Sequence, residues 1–304
     1  MIYLPIAEMP VNVLLVLLVS GAVGFVSGMV GVGGGFIMTP ALIFMGVPPP
    51  VAVATGASQI AATSFSGIMT QTRRKSVDWR MGMLLSIGGI LGSATGVLVF
   101  ERLLRLGQLD LIISLLYLVL LASVGGLMLA EAYAVWRGRT TRGVSVMRRP
   151  ARTIAHTLPL RIAFPRSGLY VSIIPPLILG YVIGALSGVM GIGGGFILIP
   201  AMIYLLRMPT NVVIGTSLFQ VLIVSSLVVI LQSARTQTVD LVLAALLVFG
   251  GVFGAQFGAR VGSRLKSEEI RTILGALLVA ASCKFLFDLV FPPAERYVFG
   301  GGLW

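Results

Sequence analysis

Apolar residues run along this chain in long blocks, broken by short polar or glycine-rich stretches rather than by regular alternation. In the first half the blocks fall at about 11–30, 34–46, 51–71, 80–100 and 109–134. In the second they fall at about 172–192, 194–206, 211–232, 240–260 and 270–291. Stretches 9–72, 81–100, 111–130 and 241–259 carry no Asp, Glu, Lys, Arg or His. Each can supply the roughly 20 apolar residues that a helix needs to cross a bilayer. The alternation of short membrane strands is absent, which argues against a β-barrel. The pattern therefore predicts membrane helices. Residues 1–10 contain no Lys or Arg and no Ala-x-Ala site follows, so the first block reads as a retained helix rather than a cleaved leader.

The blocks repeat. Gly31-Val-Gly-Gly-Gly-Phe-Ile-Met-Thr-Pro40 returns as Gly191-Ile-Gly-Gly-Gly-Phe-Ile-Leu-Ile-Pro200, and 11 of the 18 positions from 24 to 41 are identical to those from 184 to 201. The correspondence continues. Pro48, Gln59 and Gln71 match Pro209, Gln220 and Gln232. Asp78 matches Asp240, and Gly88, Gly92 and Gly96 match Gly250, Gly254 and Gly258. The expectation is an all-α polytopic membrane protein. It has two homologous repeats, each with four spans plus a short broken or re-entrant helix. The first repeat occupies 1–134, a basic cytoplasmic linker 135–170, and the second repeat 171–304.

The blocks at 34–46 and 194–206 decide how the halves are related. At about 13 residues each would rise only about 20 Å, short of the hydrocarbon core. Left uncounted, they make the halves parallel; counted as completing a crossing, they make them inverted. Composition enters here, because charge discriminates between the two. The chain is 57% apolar and 11% charged, with a net charge of +12, and its largest basic cluster (Arg137, Arg139, Arg142, Arg148, Arg149, Arg152, Arg161, Arg166) lies between the halves. With that linker in the cytoplasm, parallel halves place Arg102, Arg105, Arg207, Arg260, Arg264, Lys266 and Arg271 outside. Inverted halves place only Arg102, Arg105, Arg235 and Arg296 there. The positive-inside bias favours inversion. The same bias, with few aromatics interleaved among the arginines, replaces a nucleic-acid reading of the positive charge with one of anionic lipid.

Glycine triplets inside apolar segments carry the candidate chemistry. A backbone interruption at membrane depth must be buried in protein or line a wet cavity. At Gly33, Gly34 and Gly35, no Cβ shields the N–H groups, and the following helix adds the positive end of its dipole; together these form an anion cradle. Gly193, Gly194 and Gly195 would form a second. The glycines equally permit a tight turn with close packing and no ligand. Thr55 with Gln59, and Thr216 with Gln220, lie four residues apart on one helix face; with Ser217 they can donate to a ligand oxygen. They can also bond back to the preceding turn or bridge helices. The glycine series at 88–96 and 250–258 read as close helix packing, and Asp78 and Asp240 as helix N-caps.

Absences narrow the function. No carboxylate relay, HExxH, Walker loop or Ser/His/Asp set occurs, so an enzyme is not expected. Nothing calls for a metal or another cofactor. Cys283 and His156 are the only residues of their kinds, so no disulfide within the chain and no cysteine metal cluster can form. The expected partners are a small anionic substrate and membrane lipid, not nucleic acid, with a homodimer as one assembly.

At the two Gly-x-Gly-Gly-Gly-Phe-x-x-x-Pro motifs, the chain resembles the TauE/SafE-type sulfite exporter family, also called the 4-toluene sulfonate uptake permease family. Ile214-Gly-Thr-Ser-Leu-Phe219 and Ser76-Val-Asp-Trp-Arg80 support the resemblance; Ala54-Thr-Gly-Ala-Ser58 departs from the Gly-Thr-Ser run typical of the family. The resemblance covers nearly everything but the linker. It implies a multi-pass protein of the bacterial inner membrane, carrying sulfite, a sulfonate, thiosulfate or a related anion by alternating access. Carriage of a small carboxylate, or a non-transporting subunit whose linker docks a cytoplasmic partner, remain the alternatives.

Overall fold

The structure is a computed structural model that describes residues 2–30, 33–73, 75–136, 161–164, 166–167, 169–206, 208–262 and 267–290. Most of the basic linker, with His156, lies outside the described residues. The described residues form ten helices and two short hairpins. In chain order these are β1 (Ile2–Leu4), β2 (Met9–Val11), α1 (Val13–Val30), α2 (Gly35–Phe44), α3 (Pro49–Arg73), α4 (Trp79–Arg105) and α5 (Leu109–Trp136). Then follow β3 (Arg161–Phe164), β4 (Leu169–Ser172), α6 (Ile174–Met190), α7 (Gly195–Tyr204), α8 (Thr210–Arg235), α9 (Leu241–Gly262) and α10 (Ser267–Val290).

Six helices (α1, α4, α5, α8, α9 and α10) are long and apolar enough to cross a membrane, and the chain is a multi-pass membrane protein. α3 has the length but not the hydropathy, because Thr55, Gln59, Thr63 and Ser64 sit along it. All four are buried against protein rather than lipid, so the sequence can afford them.

Each glycine loop reverses the chain. Gly34 and Gly194 cap α2 and α7 with left-handed φ of 77° and 72°, a conformation that glycine adopts without steric cost. α2 then runs back toward the start of α1. Its Met38 and Leu42 share a buried cluster with Leu4, Val11 and Val16. α7 does the same in the second half, where Leu198 and Met202 cluster with Phe164 and Val171. Each ten-residue helix rises about 15 Å, and each contains the proline (Pro40, Pro200) expected to limit it.

Small residues set the pairing of the long helices. α1 and α9 run in the same direction, with Gly24 against Gly251 and Gly28 against Ala255 so closely that a Cβ at either glycine would overlap the partner's backbone. α4 and α6 pair likewise, Gly88, Gly92 and Gly96 meeting Leu177, Tyr181 and Ala185 in turn. This is the close-packing role expected of both glycine series. The corresponding helices α3 and α8 cross the centre in opposite directions. Gly67 meets Leu218, while Ala57, ten residues earlier, clusters with Val228, ten residues later. α5 and α10 are also antiparallel, with Gly275 against Leu129 and the Ser282 hydroxyl donating to Leu118 O at 3.4 Å.

The bundle therefore has two distinct ends. At the terminal end, β1–β2, the start of α1 and the last turns of α4 and α8 come together. There Glu101 contacts both Arg105 (2.6 Å) and Arg235 (3.6 Å). At the linker end lie Arg73, β3–β4, the starts of α4 and α6, and the last turn of α9 with Arg260.

The hairpins have no precursor in the sequence reading, which assigned 161–170 to the linker. β3–β4 pairs Arg161 with Ser172 and Phe164 with Leu169, as β1–β2 pairs Ile2 with Val11 and Leu4 with Met9. Each hairpin stands just ahead of the first helix of its half. Each also reaches into the other half. The N–H of Ile6 donates to Asp240 Oδ2 at 3.1 Å, and the N–H and hydroxyl of Ser167 donate to Asp78 Oδ2 at 3.1 and 2.5 Å. The other carboxylate oxygens cap helices as expected, Asp78 Oδ1 accepting from Met81 N and Asp240 Oδ1 from Val242 N and Leu243 N. Asp78 and Asp240 are thus both caps and cross-links between the halves.

Candidate functional site

The two glycine loops converge at the centre of the bundle. Gly33 and Gly193 both pack on Ile60 of α3 and Val221 of α8, residues 161 apart in the chain. Gly35 lies against the Ile192 carbonyl, and the next residues, Phe36 and Phe196, stack with centroids 4.8 Å apart. The triplets Gly33–Gly35 and Gly193–Gly195 are buried throughout. Gly34 O accepts from Ile37 and Met38, and Gly194 O from Ile197 and Leu198. The N–H groups of Gly35, Phe36, Gly195 and Phe196 therefore open their helices, where the helical ladder has no partner for them and the dipole is positive.

Two serines face these loops. Ser64 Oγ lies 3.0 Å from where a Cβ on Gly33 would stand, and Ser225 Oγ 3.1 Å from the equivalent point on Gly193. Both serines are fully buried, and neither hydroxyl has a hydrogen-bond partner. A buried hydroxyl without a partner costs about 1–3 kcal/mol, and here the cost occurs twice, at corresponding positions. Ser64 and Ser225 are 161 residues apart, the same offset as Gln59 and Gln220. Thr55 and Thr216 share that offset, so the spacing alone does not single the serines out; their lack of a hydrogen-bond partner does.

The other expected site residues are distributed differently. Gln59 and Gln220 are buried between helices, packed against Gly251 and Gly89. Gln59 Nε2 donates to Ser20 O at 3.3 Å, while its Oε1 and both amide atoms of Gln220 have no partner. Thr55 and Thr216 lie toward opposite ends of the bundle rather than together. Thr55 Oγ1 accepts from the N–H of Asp240 and Thr216 Oγ1 from the N–H of Asp78, each at 3.1 Å. They complete the cross-links that the hairpins begin. Ser217 donates to Ile214 O at 3.0 Å, back along its own helix.

A cavity of about 930 Å³ leads from the linker end toward the first loop. Arg73 and Arg260 stand at its mouth, and Ser27, Thr63 and Gly33 at its inner end. Thr63 Oγ1 is 3.1 Å from Gly33 O, fixing the loop to α3. Toward the terminal end apolar side chains fill the centre. Val97, Val224 and Val228 are buried together there. Tyr117, fully buried, donates through its hydroxyl to Met190 O at 2.7 Å, at the last residue of α6 before the second loop. Among the described residues no group of three or more His, Cys, Asp or Glu could hold a metal ion.

Comparison with known proteins places this arrangement. A probable membrane transporter protein of Xylella fastidiosa (strain 9a5c) is 32% identical over 240 residues, covering 77% of this chain and 78% of its own length. The probable membrane transporter protein YunE of Bacillus subtilis is 26% identical over 285 residues, covering 91% and 98%. No solved structure matches the chain. The family described as sulfite exporter TauE/SafE matches residues 16–285, a range that holds both glycine loops, all ten helices except the ends of α1 and α10, and the serines that face the loops. By that match the chain belongs to the TauE/SafE sulfite exporter family.

Proposed function

We propose that the protein is a secondary transporter of a small sulfur-containing anion (the sulfite, sulfonate or thiosulfate class) across the bacterial inner membrane by alternating access. Its two repeats are inverted, each with four long helices and one short returning helix. Three observations support this relation of the repeats. The corresponding helices α3 and α8 run in opposite directions, as do α5 and α10. Arg235 lies beside Glu101 at one end of the bundle, whereas parallel halves would put them on opposite sides of the membrane.

The observation that carries the functional reading is the pair of buried, partnerless hydroxyls of Ser64 and Ser225, facing two helix N-termini. An oxyanion between the loops would accept from both serines and from the N–H groups of Gly33–Gly35 and Gly193–Gly195. The helix dipoles would balance its charge without a buried cation. In this reading Thr55 and Thr216 hold the frame, and Gln59 and Gln220 wall the site. The cavity at the linker end and the apolar-filled terminal end correspond to one of the two access states. Stacked Phe36 and Phe196 part when the loops exchange sides.

The test is flux of radiolabelled sulfite, thiosulfate, a small sulfonate and lactate into proteoliposomes, with and without a pH gradient. Saturable flux of at least one sulfur anion in preference to lactate is expected. Lactate carried in preference would make it a carboxylate carrier. No flux of any probe would contradict the carrier reading.

A further inference from the structure

The two access routes differ in chemistry, and the difference is written in the repeat itself. Eight polar residues line the linker-end cavity; Ser27 and Gln71 keep polar counterparts in Ser187 and Gln232, and the other six are Thr63, Ser66, Thr70, Arg73, Gln256 and Arg260. Their counterparts, at offsets of 161 and 162, are Val224, Leu227, Leu231, Ala234, Ala94 and Leu98. Every one is apolar. The loops, the serines facing them, the capping aspartates and the close-packed glycines are all kept in both halves, so the symmetry is broken along the route and retained at the centre. A general excess of basic residues on the cytoplasmic side would account for Arg73 and Arg260. It does not account for Thr63, Ser66 or Gln256, which lie within the span where that bias has no bearing.

Among the described residues no carboxylate lines this cavity. The Arg260 guanidinium also stands over the Phe257 ring, 5.7 Å from its centroid. A cleft with one sign of charge and low-dielectric walls concentrates counter-ions and speeds their capture. We propose, building on the carrier reading, that this vestibule is a second anion site. In it Arg73 and Arg260, with Thr70 and Gln256, hold a small oxyanion before it passes to the glycine loops. On the terminal-end route the positions equivalent to Arg73, Arg260, Thr70 and Gln256 are Ala234, Leu98, Leu231 and Ala94, none of which has a side-chain donor. The carrier therefore loads at low concentration from the linker face and at high concentration from the other.

The test measures initial rates of radiolabelled sulfite flux from each face separately, using vesicle populations of opposite orientation, for the wild type, Arg73→Gln, Arg260→Gln and the corresponding Lys variants. Half-saturation from the linker face is expected at a concentration about tenfold lower than from the terminal face, and to rise severalfold with salt, since exposed charges are screened. Either Gln substitution should raise the linker-face value about tenfold and leave the terminal-face value unchanged, while Lys preserves both. Equal half-saturation from the two faces, no salt effect at the linker face, or Gln variants that change both faces alike would overturn the vestibule while leaving the carrier intact. Absence of flux by the wild type would overturn the carrier reading itself, and the vestibule with it. The salt dependence needs no variant, so the proposal remains testable if a substitution impairs insertion.

Discussion

Phe36 stacks on Phe196 with ring centroids 4.8 Å apart and planes 15° from parallel, although 160 residues separate them in the chain. They are the same position of the repeat meeting itself. Each follows a glycine triplet and opens a returning helix, so the stack joins the two loops directly. Phe36→Ala and Phe196→Ala should each cost about 3–5 kcal/mol. The double variant should cost less than the sum by about 0.5–1.5 kcal/mol, the worth of a ring pair beyond its area. Thermal unfolding of the four proteins in detergent measures this, and strict additivity would mean that the rings do not interact.

The relation of the halves can be read from labelling. In a Cys283→Ser background, Arg235→Cys and Glu101→Cys should react with an impermeant maleimide from one face, and Arg73→Cys from the opposite face. Labelling of Arg235→Cys on the Arg73 side would make the repeats parallel.

Asp78 joins three elements: Ser167 of the second hairpin, the first turn of α4, and Thr216 of α8 through its own N–H. Asp78→Ala leaves those N–H donors buried without an acceptor and should destabilise by about 2–3 kcal/mol. Thr216→Val removes two neutral bonds, to Asp78 N and Val212 O, and should cost about 1–2 kcal/mol. At the other end, deleting residues 2–11 removes the Ile6 N–H bond to Asp240 together with the buried side chains of Leu4, Ala7 and Val11, and should lower the melting temperature. A deletion with an unchanged melting temperature would show that the hairpin does not brace the bundle.

Tyr117 joins α5 to the end of α6, its phenol donating to the Met190 carbonyl beside the second loop; if the carrier opens at the terminal end, this bond would have to break. Tyr117→Phe removes a bond worth about 1.4 kcal/mol, which is tenfold in a two-state equilibrium. Val224→Cys, added to this variant, should be labelled from the terminal face about ten times faster than in the parent. An unchanged labelling rate would mean that opening does not break this bond.

Much of this was legible in the chain. The glycine loops, the caps at Asp78 and Asp240 and the close-packed glycine faces each follow from local chemistry, and local chemistry is what a sequence displays. The hairpins are not legible, because strands of three and four residues carry too little pattern to register against long apolar helices. The repeat tells which residues correspond, not which touch. That Thr55 supports Asp240 of the other half, rather than facing the loops beside Gln59, depends on helix packing. Basic residues favoured one parity by count alone. Which helix ends meet, as Glu101 meets Arg235, depends on packing that a count of charges does not display. Ser64 and Ser225 stood at the repeat offset among several other hydroxyls, and only burial without partners separates them.

That pair offers the most direct test of the central claim, because transport and stability should move in different directions. Ser64→Ala and Ser225→Ala each remove a buried hydroxyl that bonds nothing in the protein, so thermal stability should stay level or rise. If an oxyanion is bound between the loops, each variant should raise the half-saturation concentration for flux about tenfold, the loss of one hydrogen bond to a charged ligand. The double variant should nearly abolish saturable flux. Wild-type half-saturation in the folded double variant would contradict the anion site.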